Sequence, residues 1–380
     1  MSIVLDKAAQ SGPKALTLVD CDVHPHLRDG LNDLMPYLSS SWQKRLGVGH
    51  AASWASQVYA AQVSIPKNVM YVNTVGVMRR DSLPDDGSIP ASDPDFVARQ
   101  HLDAFGIDRA VLLGGNMLGL GAMVDADLAA AVASAYNDWL TERWLESDDR
   151  YRGALVVAPQ DPALAVTEIH RVADRAGMAQ ILLPLTNILM GDRHYHPIYE
   201  AAAEHSLPIG VHPNSVDGIY AKGPTLAGGV FSYYIEWHAA LTQVFQSNVI
   251  SLVCQGVFQR FPTMKVVIAE GGFTWLVDLM WRLDKNWQAL RDEVPWLERP
   301  PSEYVIEHVR FTTQPFVEPN DPGQLGSILE IIHADQTLLF SSDYPHWDFD
   351  NPQRALGTTS QEVRGRILAG NAIDLYGSRL

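Results

Sequence analysis

The amino-acid sequence predicts an α/β protein built as a distorted (β/α)8 TIM barrel. Three observations carry this prediction: eight short apolar runs recur along the chain, segments with helical spacing separate most of them, and no Gly-x-Gly-x-x-Gly fingerprint follows the first run. The third observation disfavours an open doubly wound sheet, which is the alternative. The chain of 380 residues is long enough for one barrel of roughly 250 residues with large loops.

The predicted strands are rich in β-branched and apolar residues and hardly alternate with polar ones. This pattern is typical of strands that are buried on both faces of a parallel sheet. The strands are predicted at 16–21, 110–113, 154–157, 180–183, 208–211, 265–269, 309–312 and 337–340. Helices are predicted at 125–146, 162–176, 197–205, 231–261, 273–290 and 361–376. The alternation of strand and helix indicates an α/β fold.

Two segments are longer than a minimal barrel requires. Segment 27–95, after the first strand, carries aromatic residues and methionines among turn-forming residues: Trp42, Trp54, Tyr59, Met70, Tyr71 and Met78. Segment 286–307, between strands 6 and 7, contains Trp296 and three prolines. Loops of this length inside a compact domain are usually functional. We therefore predict one domain over 1–380, with 27–95 over the active site and both segments contributing to substrate choice.

The charge balance excludes some partners. The chain has 28 Lys and Arg against 44 Asp and Glu, a net charge of −16, whereas proteins that bind nucleic acids or anionic membranes concentrate cations. No apolar run approaches the roughly 20 residues of a membrane span, and 1–13 is too polar for a signal peptide. Cys21 and Cys254 form no CxxC pattern and are predicted to be reduced thiols. These features predict a cytoplasmic protein that acts on a small molecule.

The sharpest local motif is Asp22-Val23-His24-Pro25-His26, directly after the first strand. In an extended segment, side chains two residues apart point to the same face, so His24 and His26 can direct their nitrogens toward one point. Two converging imidazoles are a natural start for a divalent metal site. The alternative is a pair of exposed histidines in a turn around Pro25.

Three further polar residues stand at the carboxyl ends of predicted strands. His212 ends the fifth strand segment, Glu270 the sixth and Asp343 the eighth. In a (β/α)8 barrel these ends form one rim, and active sites lie on that rim. Either carboxylate taken singly is typical of a helix N-cap. Taken together, the positions predict a metal site with five potential ligands: His24, His26, His212, Glu270 and Asp343.

These motifs and three more resemble the amidohydrolase superfamily. The additional motifs are Ala-Glu-Gly-Gly-Phe-Thr-Trp at 269–275, Phe-Ser-Ser-Asp-Tyr-Pro-His at 340–346 and Gly-Asn-Ala at 370–372. More narrowly, they resemble the amidohydrolase-related branch that includes aminocarboxymuconate-semialdehyde decarboxylase. The resemblance implies one divalent ion, zinc first and manganese as the alternative. Its ligands would be His24, His26 and His212, with Asp343 as the carboxylate near the metal and its water. It also implies a homodimer.

Two chemistries are compatible with this set of residues. A divalent ion held by imidazoles acidifies its bound water, and Asp343 can accept that proton, or can protonate a carbon during decarboxylation. Branch members that decarboxylate aromatic acids tend to carry histidine after strand six, whereas this chain has Glu270. The main prediction is therefore a metal-dependent hydrolase acting on a small organic acid, ester, lactone or amide. The alternative is a non-oxidative decarboxylase of an aromatic or unsaturated carboxylic acid.

A third possibility, from another class, is a catalytically inactive barrel that serves as a binding module. It is disfavoured because each expected ligand position holds a suitable side chain. His238, in the helix after strand five, is predicted to be catalytic, with a packed helix histidine as the alternative. His346 and Trp347 are predicted to bind substrate, with loop packing as their alternative role.

Overall fold

Eight parallel strands follow one another in chain order around a barrel in the computed structural model, which describes residues 16–46, 76–213, 231–357 and 359–380. The strands are β1 (Val19–Val23), β2 (Arg109–Leu112), β3 (Tyr151–Val156), β4 (Met178–Leu182), β5 (Ile209–Val211), β6 (Val266–Ile268), β7 (Val309–Thr312) and β8 (Leu338–Leu339). The last strand region returns to the first: the Cys21 amide donates to the Phe340 carbonyl at 2.9 Å, and the Asp343 amide donates to the Asp22 carbonyl at 3.1 Å. The predicted (β/α)8 barrel is confirmed.

The helices of the described residues surround the strands. They are α1 (Ser40–Leu46), α2 (Pro94–Val97), α3 (Ala126–Leu140), α4 (Pro162–Val172), α5 (His196–Glu204), α6 (Tyr234–Ala240), α7 (Thr242–Cys254), α8 (Val257–Arg260), α9 (Leu276–Leu290), α10 (Pro301–His308), α11 (Pro322–Ile331), α12 (Ala334–Thr337), α13 (Gln361–Gly365) and α14 (Asn371–Tyr376). Nearly every strand residue is buried because the helices cover the outer face of the barrel while side chains fill its interior.

The helix predicted at 231–261 is interrupted in the structure. It divides into α6, α7 and α8, and the last break lies at Gly256, whose φ of 72° is left-handed. A Cβ at Gly256 would lie 2.5 Å from the ring of Trp296. The apolar periodicity runs through this break, which the sequence marks only by a glycine, the residue that commonly ends helices in the left-handed conformation.

The two long segments differ in position. The described end of 27–95 is bonded to the loop after β8, because the Arg79 amide donates to the Pro345 carbonyl and the Trp347 amide to the Val77 carbonyl, both at 2.8 Å. Trp54, Tyr59, Met70 and Tyr71 lie outside the described residues.

Segment 286–307 consists largely of the end of α9 and of α10. Its Trp296 indole donates to the Cys254 carbonyl at 2.9 Å, at the end of α7. The end of a helix that precedes a strand lies on the side of the barrel opposite the carboxyl rim. The prediction that this segment contributes to substrate choice therefore finds no support in its position.

Both cysteines are free thiols, in agreement with the sequence. Within the described ranges, no helix combines the length and the apolar character that crossing a membrane requires.

A buried amide fastens α3 to β3. Asn137 is fully buried, donates to the Val156 carbonyl at 2.9 Å and accepts from the Val156 amide at 2.7 Å. We expect Asn137→Ala to lower the free energy of unfolding by about 2 to 4 kcal/mol, because both backbone groups lose their partner in a dry interior. Urea unfolding measures this. Asn32→Ala, at an exposed position, is the control, and equal losses in the two variants would contradict the argument.

Candidate metal centre

Four ligand side chains converge at the carboxyl rim of the barrel. Asp22 belongs to β1 and His24 follows it, His212 follows β5 and Asp343 follows β8. All four residues are buried, and each offers a ligand atom within 4.8 Å of the others. Three of the four were predicted from the sequence. We call this set, Asp22, His24, His212 and Asp343, the rim cluster.

The distances within the rim cluster are short. The His24 Nε2 atom lies 2.8 Å from Asp343 Oδ1 and 3.2 Å from Asp22 Oδ1. The His212 Nε2 atom lies 3.6 Å from Asp22 Oδ2. Each Nε2 atom therefore faces carboxylate oxygens.

The other ring nitrogens define which imidazole atoms are free to bind a cation. The His24 Nδ1 atom donates to the Leu113 carbonyl at 3.0 Å, and the His212 Nδ1 atom donates to the Pro213 carbonyl at 2.7 Å. A carbonyl can only accept, so the proton of a neutral ring resides on Nδ1 and the Nε2 lone pair faces the carboxylates. Fixing the ring through its second nitrogen is how proteins orient metal-binding histidines.

Several buried atoms of the rim cluster have no hydrogen-bond partner. They are Asp22 Oδ1 and Oδ2, His212 Nε2 and Asp343 Oδ2. Unpartnered buried polar atoms are costly and rare, and here they are all acceptors or lone pairs that face one another. A divalent cation satisfies this arrangement, and two imidazoles with two carboxylates form a donor set suited to manganese or zinc. The rim cluster therefore fits one divalent ion.

The electrostatics show an excess of negative charge. Burial lowers the pKa of His212, but the carboxylates of Asp22 and Glu270 outweigh it and raise the value to about 9. Burial and the nearby charge of Asp343 hold the pKa of Glu270 well above its usual range. In contrast, His346 and His24 overcome the effect of burial and hold the pKa of Asp343 well below its usual range. A cation at the rim relieves the repulsion between these carboxylates.

His26 lies beside the rim cluster but is not one of its four residues. Its Nδ1 atom donates to the Pro90 carbonyl at 2.9 Å, and burial, together with the nearby rings of His346 and His24, lowers its pKa to about 3. A Cβ at Gly115 would lie 2.9 Å from its Nε2 atom, so the ring is packed against backbone. Among the described residues, it belongs to neither group that could hold a metal ion.

The reason lies in where the first strand ends. β1 ends at Val23 and Pro25 redirects the chain, so the two-residue alternation that aligns Asp22 with His24 does not extend to His26. The geometry puts Asp22 in the place that the sequence assigned to His26. The signal for Asp22 was available, since it precedes His24 by two residues in a buried strand.

Glu270 and His346 form a second group with Asp343. The Glu270 Oε2 atom lies 3.2 Å from His212 Nε2, and the His346 Nδ1 atom donates to Asp343 Oδ1 at 2.7 Å. Glu270 and Asp343 have positive φ values of 48° and 58°, a conformation that ordinary side chains rarely adopt and that concentrates at functional sites. Glu270 and Asp343 therefore lie beside each other at the site.

A buried network anchors the loop that carries Asp343. Asp20 accepts from the Ser342 hydroxyl at 2.5 Å and from the Ser342 amide at 2.9 Å, and its carboxylate lies 2.8 Å from His101 Nε2. All three side chains are buried. The network connects β1 to the residue preceding Asp343, which stabilises the left-handed backbone there.

His238 and Trp347 stand at the outer side of Glu270. The His238 Nε2 atom lies 3.7 Å from Glu270 Oε1 and 3.3 Å from Asp348 Oδ2. The ring of Tyr234 stacks on His238 at 5.5 Å, and the Trp347 indole donates to the Tyr234 hydroxyl at 3.3 Å. Sequence reasoning did not identify Tyr234 or Asp348, because only the folded chain brings α6 against the loop after β8.

The carboxyl group of Asp350, two residues beyond Asp348, allows the acidity of this region to be tested by varying the pH. Burial is the main cause that raises the pKa of Asp350 from 3.8 to about 7. The folded protein therefore binds this proton more tightly than the unfolded chain, and stability is lost as pH rises from about 4 to 7. We expect Asp350→Asn to increase the free energy of unfolding by about 1 to 3 kcal/mol at pH 8 and to change it much less at pH 4, near the pKa of the unfolded chain.

Urea unfolding of both proteins at the two pH values measures this effect. The amide oxygen of the new side chain can still accept from the Phe316 amide, which donates to Asp350 Oδ2 at 2.8 Å. A change of the same size at both pH values would show that the carboxyl does not titrate in this range.

Comparison with known proteins agrees with this geometry. A family profile described as amidohydrolase matches residues 19–378. The chain belongs to the amidohydrolase family. The predicted resemblance and the prediction of an enzyme are thereby confirmed.

Named relatives of this amidohydrolase are decarboxylases. The gamma-resorcylate decarboxylase of a Polaromonas species is 26% identical over 296 residues, which cover 72% of this chain and 85% of the relative.

Two solved structures share the fold. The dihydroxybenzoic acid decarboxylase from Polaromonas, with bound manganese and the inhibitor 2-nitroresorcinol, has a TM-score of 0.63 at 19% identity and covers 95% of this chain and 97% of its own. The 5-carboxyvanillate decarboxylase from Sphingomonas paucimobilis has a TM-score of 0.64 at 18% identity and covers 95% and 99%. These relatives favour decarboxylation, the alternative, over hydrolysis, which was the main prediction.

Proposed function

We propose that this amidohydrolase is a metal-dependent, non-oxidative decarboxylase of an aromatic carboxylic acid that carries a hydroxyl group next to the carboxylate. The observation that carries the proposal is the match to gamma-resorcylate decarboxylase over 85% of that relative's length. The rim cluster supports it because two imidazoles and two carboxylates can hold a divalent ion. Hydrolysis, inferred from Glu270 alone, has no comparable support.

The ion has a defined place in this proposal. Held by Asp22, His24, His212 and Asp343, it would supply positive charge that binds and orients the carboxylate and hydroxyl oxygens of the substrate. We propose manganese first, since two of the four donors are carboxylates and the related Polaromonas structure contains manganese. Zinc, the first prediction from the sequence, is the alternative.

The proton comes from this chain's own residues. In the reaction the bond between ring and carboxylate breaks, its electron pair stays on the ring carbon, carbon dioxide leaves and a proton takes its place. In the site without an ion, Asp343 opposes the lowering effect of burial and raises the pKa of His346 to about 9, which makes His346 the group beside Asp343 suited to hold a proton. Its hydrogen bond to Asp343 Oδ1 allows that proton to reach the ring carbon through the carboxyl of Asp343.

Aromatic side chains support an aromatic substrate. Tyr234, His238 and Trp347 form a wall at the outer side of the rim cluster, with ring centroids 5.5 Å apart for Tyr234 and His238 and 5.9 Å apart for His238 and Trp347. A flat substrate ring can pack against such a wall and exclude water from the breaking bond.

Product chemistry tests the proposed function. The protein loaded with manganese, and separately with zinc, is incubated with a series of 2-hydroxybenzoates and with matched esters, amides and lactones. We expect release of carbon dioxide and of the phenol, and in deuterium oxide one deuterium at the vacated carbon. Turnover of esters, amides or lactones without carbon dioxide release from any acid would restore hydrolysis.

We also propose a homodimer, on the family resemblance, and a cytoplasmic location, on the two unpaired cysteines. Light scattering after gel filtration tests the dimer, and cell fractionation tests the location.

A further inference from the structure

Carboxylates and imidazoles alternate along one side of the site. From the rim cluster outward, His212 Nε2 lies 3.2 Å from Glu270 Oε2, Glu270 Oε1 lies 3.7 Å from His238 Nε2, and His238 Nε2 lies 3.3 Å from Asp348 Oδ2. We call these four residues, His212, Glu270, His238 and Asp348, the acid–imidazole row. The row starts at the proposed metal ligands and ends beneath the aromatic wall.

The position of the row relates it to the substrate. The aromatic wall lies against its outer end: Tyr234 stacks on His238 at an interplanar angle of 24°, and Trp347 is 47% exposed. A ring whose carboxylate is held at the rim cluster would extend toward this exposed side. Substituents on one of its edges would then face His238 and Asp348.

The row holds two carboxyl groups, those of Glu270 and Asp348, and two imidazoles. In the part of the chain that the structure describes, the ion pairs of Glu270 and Asp348 all involve histidine, and none involves lysine or arginine. Asp350, two residues beyond Asp348, adds another half-buried carboxyl. A second carboxylate on the substrate would meet the carboxylate of Asp348 at low exposure to water, and none of these ion pairs supplies a lysine or arginine to offset that repulsion.

Asp348 also lacks a hydrogen-bond donor. Its Oδ2 atom is buried and has no hydrogen-bond partner, although it forms an ion pair with His238. Its side chain is 14% exposed, so water has little access to it. A substrate hydroxyl or amino group would satisfy this oxygen, and a carboxylate would not.

We propose that Asp348 determines substrate specificity. It selects aromatic monocarboxylic acids that carry a further hydroxyl or amino group on the ring, and the acid–imidazole row excludes aromatic dicarboxylic acids. The inference rests on the proposed function and narrows its substrate class. The aromatic wall accepts the ring, the rim cluster with its ion accepts one carboxylate, and Asp348 accepts a hydrogen bond from the additional donor.

Matched substrates and one variant test the proposal. The manganese-loaded protein is assayed with 2-hydroxybenzoate, with dihydroxybenzoates and aminosalicylates, and with hydroxyisophthalates, which add a carboxylate. Binding of the same acids is measured separately by calorimetry. We expect kcat/KM for the best acid with an additional donor to be at least tenfold higher than for 2-hydroxybenzoate, because that donor bonds to a buried charge. We expect it to be at least a hundredfold higher than for the dicarboxylates, because the same charge repels a second anion.

The variant Asp348→Asn removes the charge and keeps the shape. We expect this variant to lower the ratio of kcat/KM for donor-bearing acids to kcat/KM for dicarboxylates at least tenfold, mainly through changes in KM and binding affinity. Asp127→Asn makes the same charge change at an exposed position and should leave both preferences unchanged.

The outcomes separate the two proposals. If no acid releases carbon dioxide, the proposed function fails. If the wild-type protein binds or turns over dicarboxylates as well as donor-bearing acids, or if Asp348→Asn leaves the preference unchanged, the assignment of Asp348 is overturned while the decarboxylase can stand.

Discussion

The Asp343→Asn variant is expected to lose at least about 1,000-fold in kcat when assayed at saturating manganese, within the range found for residues that transfer protons at the reacting atom. Asp343 Oδ1 accepts a hydrogen bond from His346 Nδ1 at 2.7 Å and lies 2.8 Å from His24 Nε2. Asparagine preserves the shape but can neither take up the proton of His346 nor deliver it to carbon. It also removes one negative ligand from the rim cluster.

Two measurements separate proton transfer from metal loss. Manganese content is determined for the assayed protein, and product formed in deuterium oxide is analysed for deuterium at the vacated carbon. Asp127→Asn serves as the control for the change of charge. A variant that retains manganese and a kcat within tenfold of the wild type would show that Asp343 does not deliver the proton.

The second large effect concerns which residues bind the ion. After dialysis we expect Asp22→Asn and His212→Ala to retain less than about one-tenth of an equivalent of manganese, because each loses a ligand atom. His26→Asn is expected to retain the ion, since its ring is not among the four side chains of the rim cluster. Metal analysis of the three variants, with circular dichroism to confirm folding, makes this comparison.

The thermal stability of the metal-free proteins tests the same residues independently. Asp22→Asn removes one of several crowded carboxylates, so the metal-free variant is expected to unfold at a higher temperature than the metal-free wild type. Added manganese should stabilise the wild type and not this variant, because a ligand stabilises only the state that binds it. Loss of metal from His26→Asn, with normal binding by Asp22→Asn, would instead support the ligand set predicted from sequence.

Much of the barrel could be predicted because its strands are buried on both faces. Val266–Ile268 and its counterparts are continuous apolar runs that read as parallel strands without any tertiary information. Helix ends were less predictable. The apolar periodicity runs through the break at Gly256, where α7 ends and the backbone becomes left-handed close to Trp296.

The candidate site could be predicted in part for a similar reason. His212, Glu270 and Asp343 stand directly after strands, and parallel strands must bring those ends to one rim. The sequence prediction also assigned His26 to the rim, because it extended the two-residue alternation of side chains beyond the end of β1. The backbone beyond Val23 takes the ring to Pro90, and the same spacing in the other direction places Asp22 at the rim.

By itself, the sequence determined the class of fold and the rim and predicted a divalent-ion site there, because apolar runs, helical spacing and residues at strand ends are local patterns. Only the tertiary structure decided that Asp22 joins His24, His212 and Asp343, and that His238 stands between Glu270 and Asp348. These contacts join residues of β1, α6 and the loops after β5, β6 and β8. The direction of the chain at the ends of helices and strands governs such contacts, and local sequence patterns do not specify that direction.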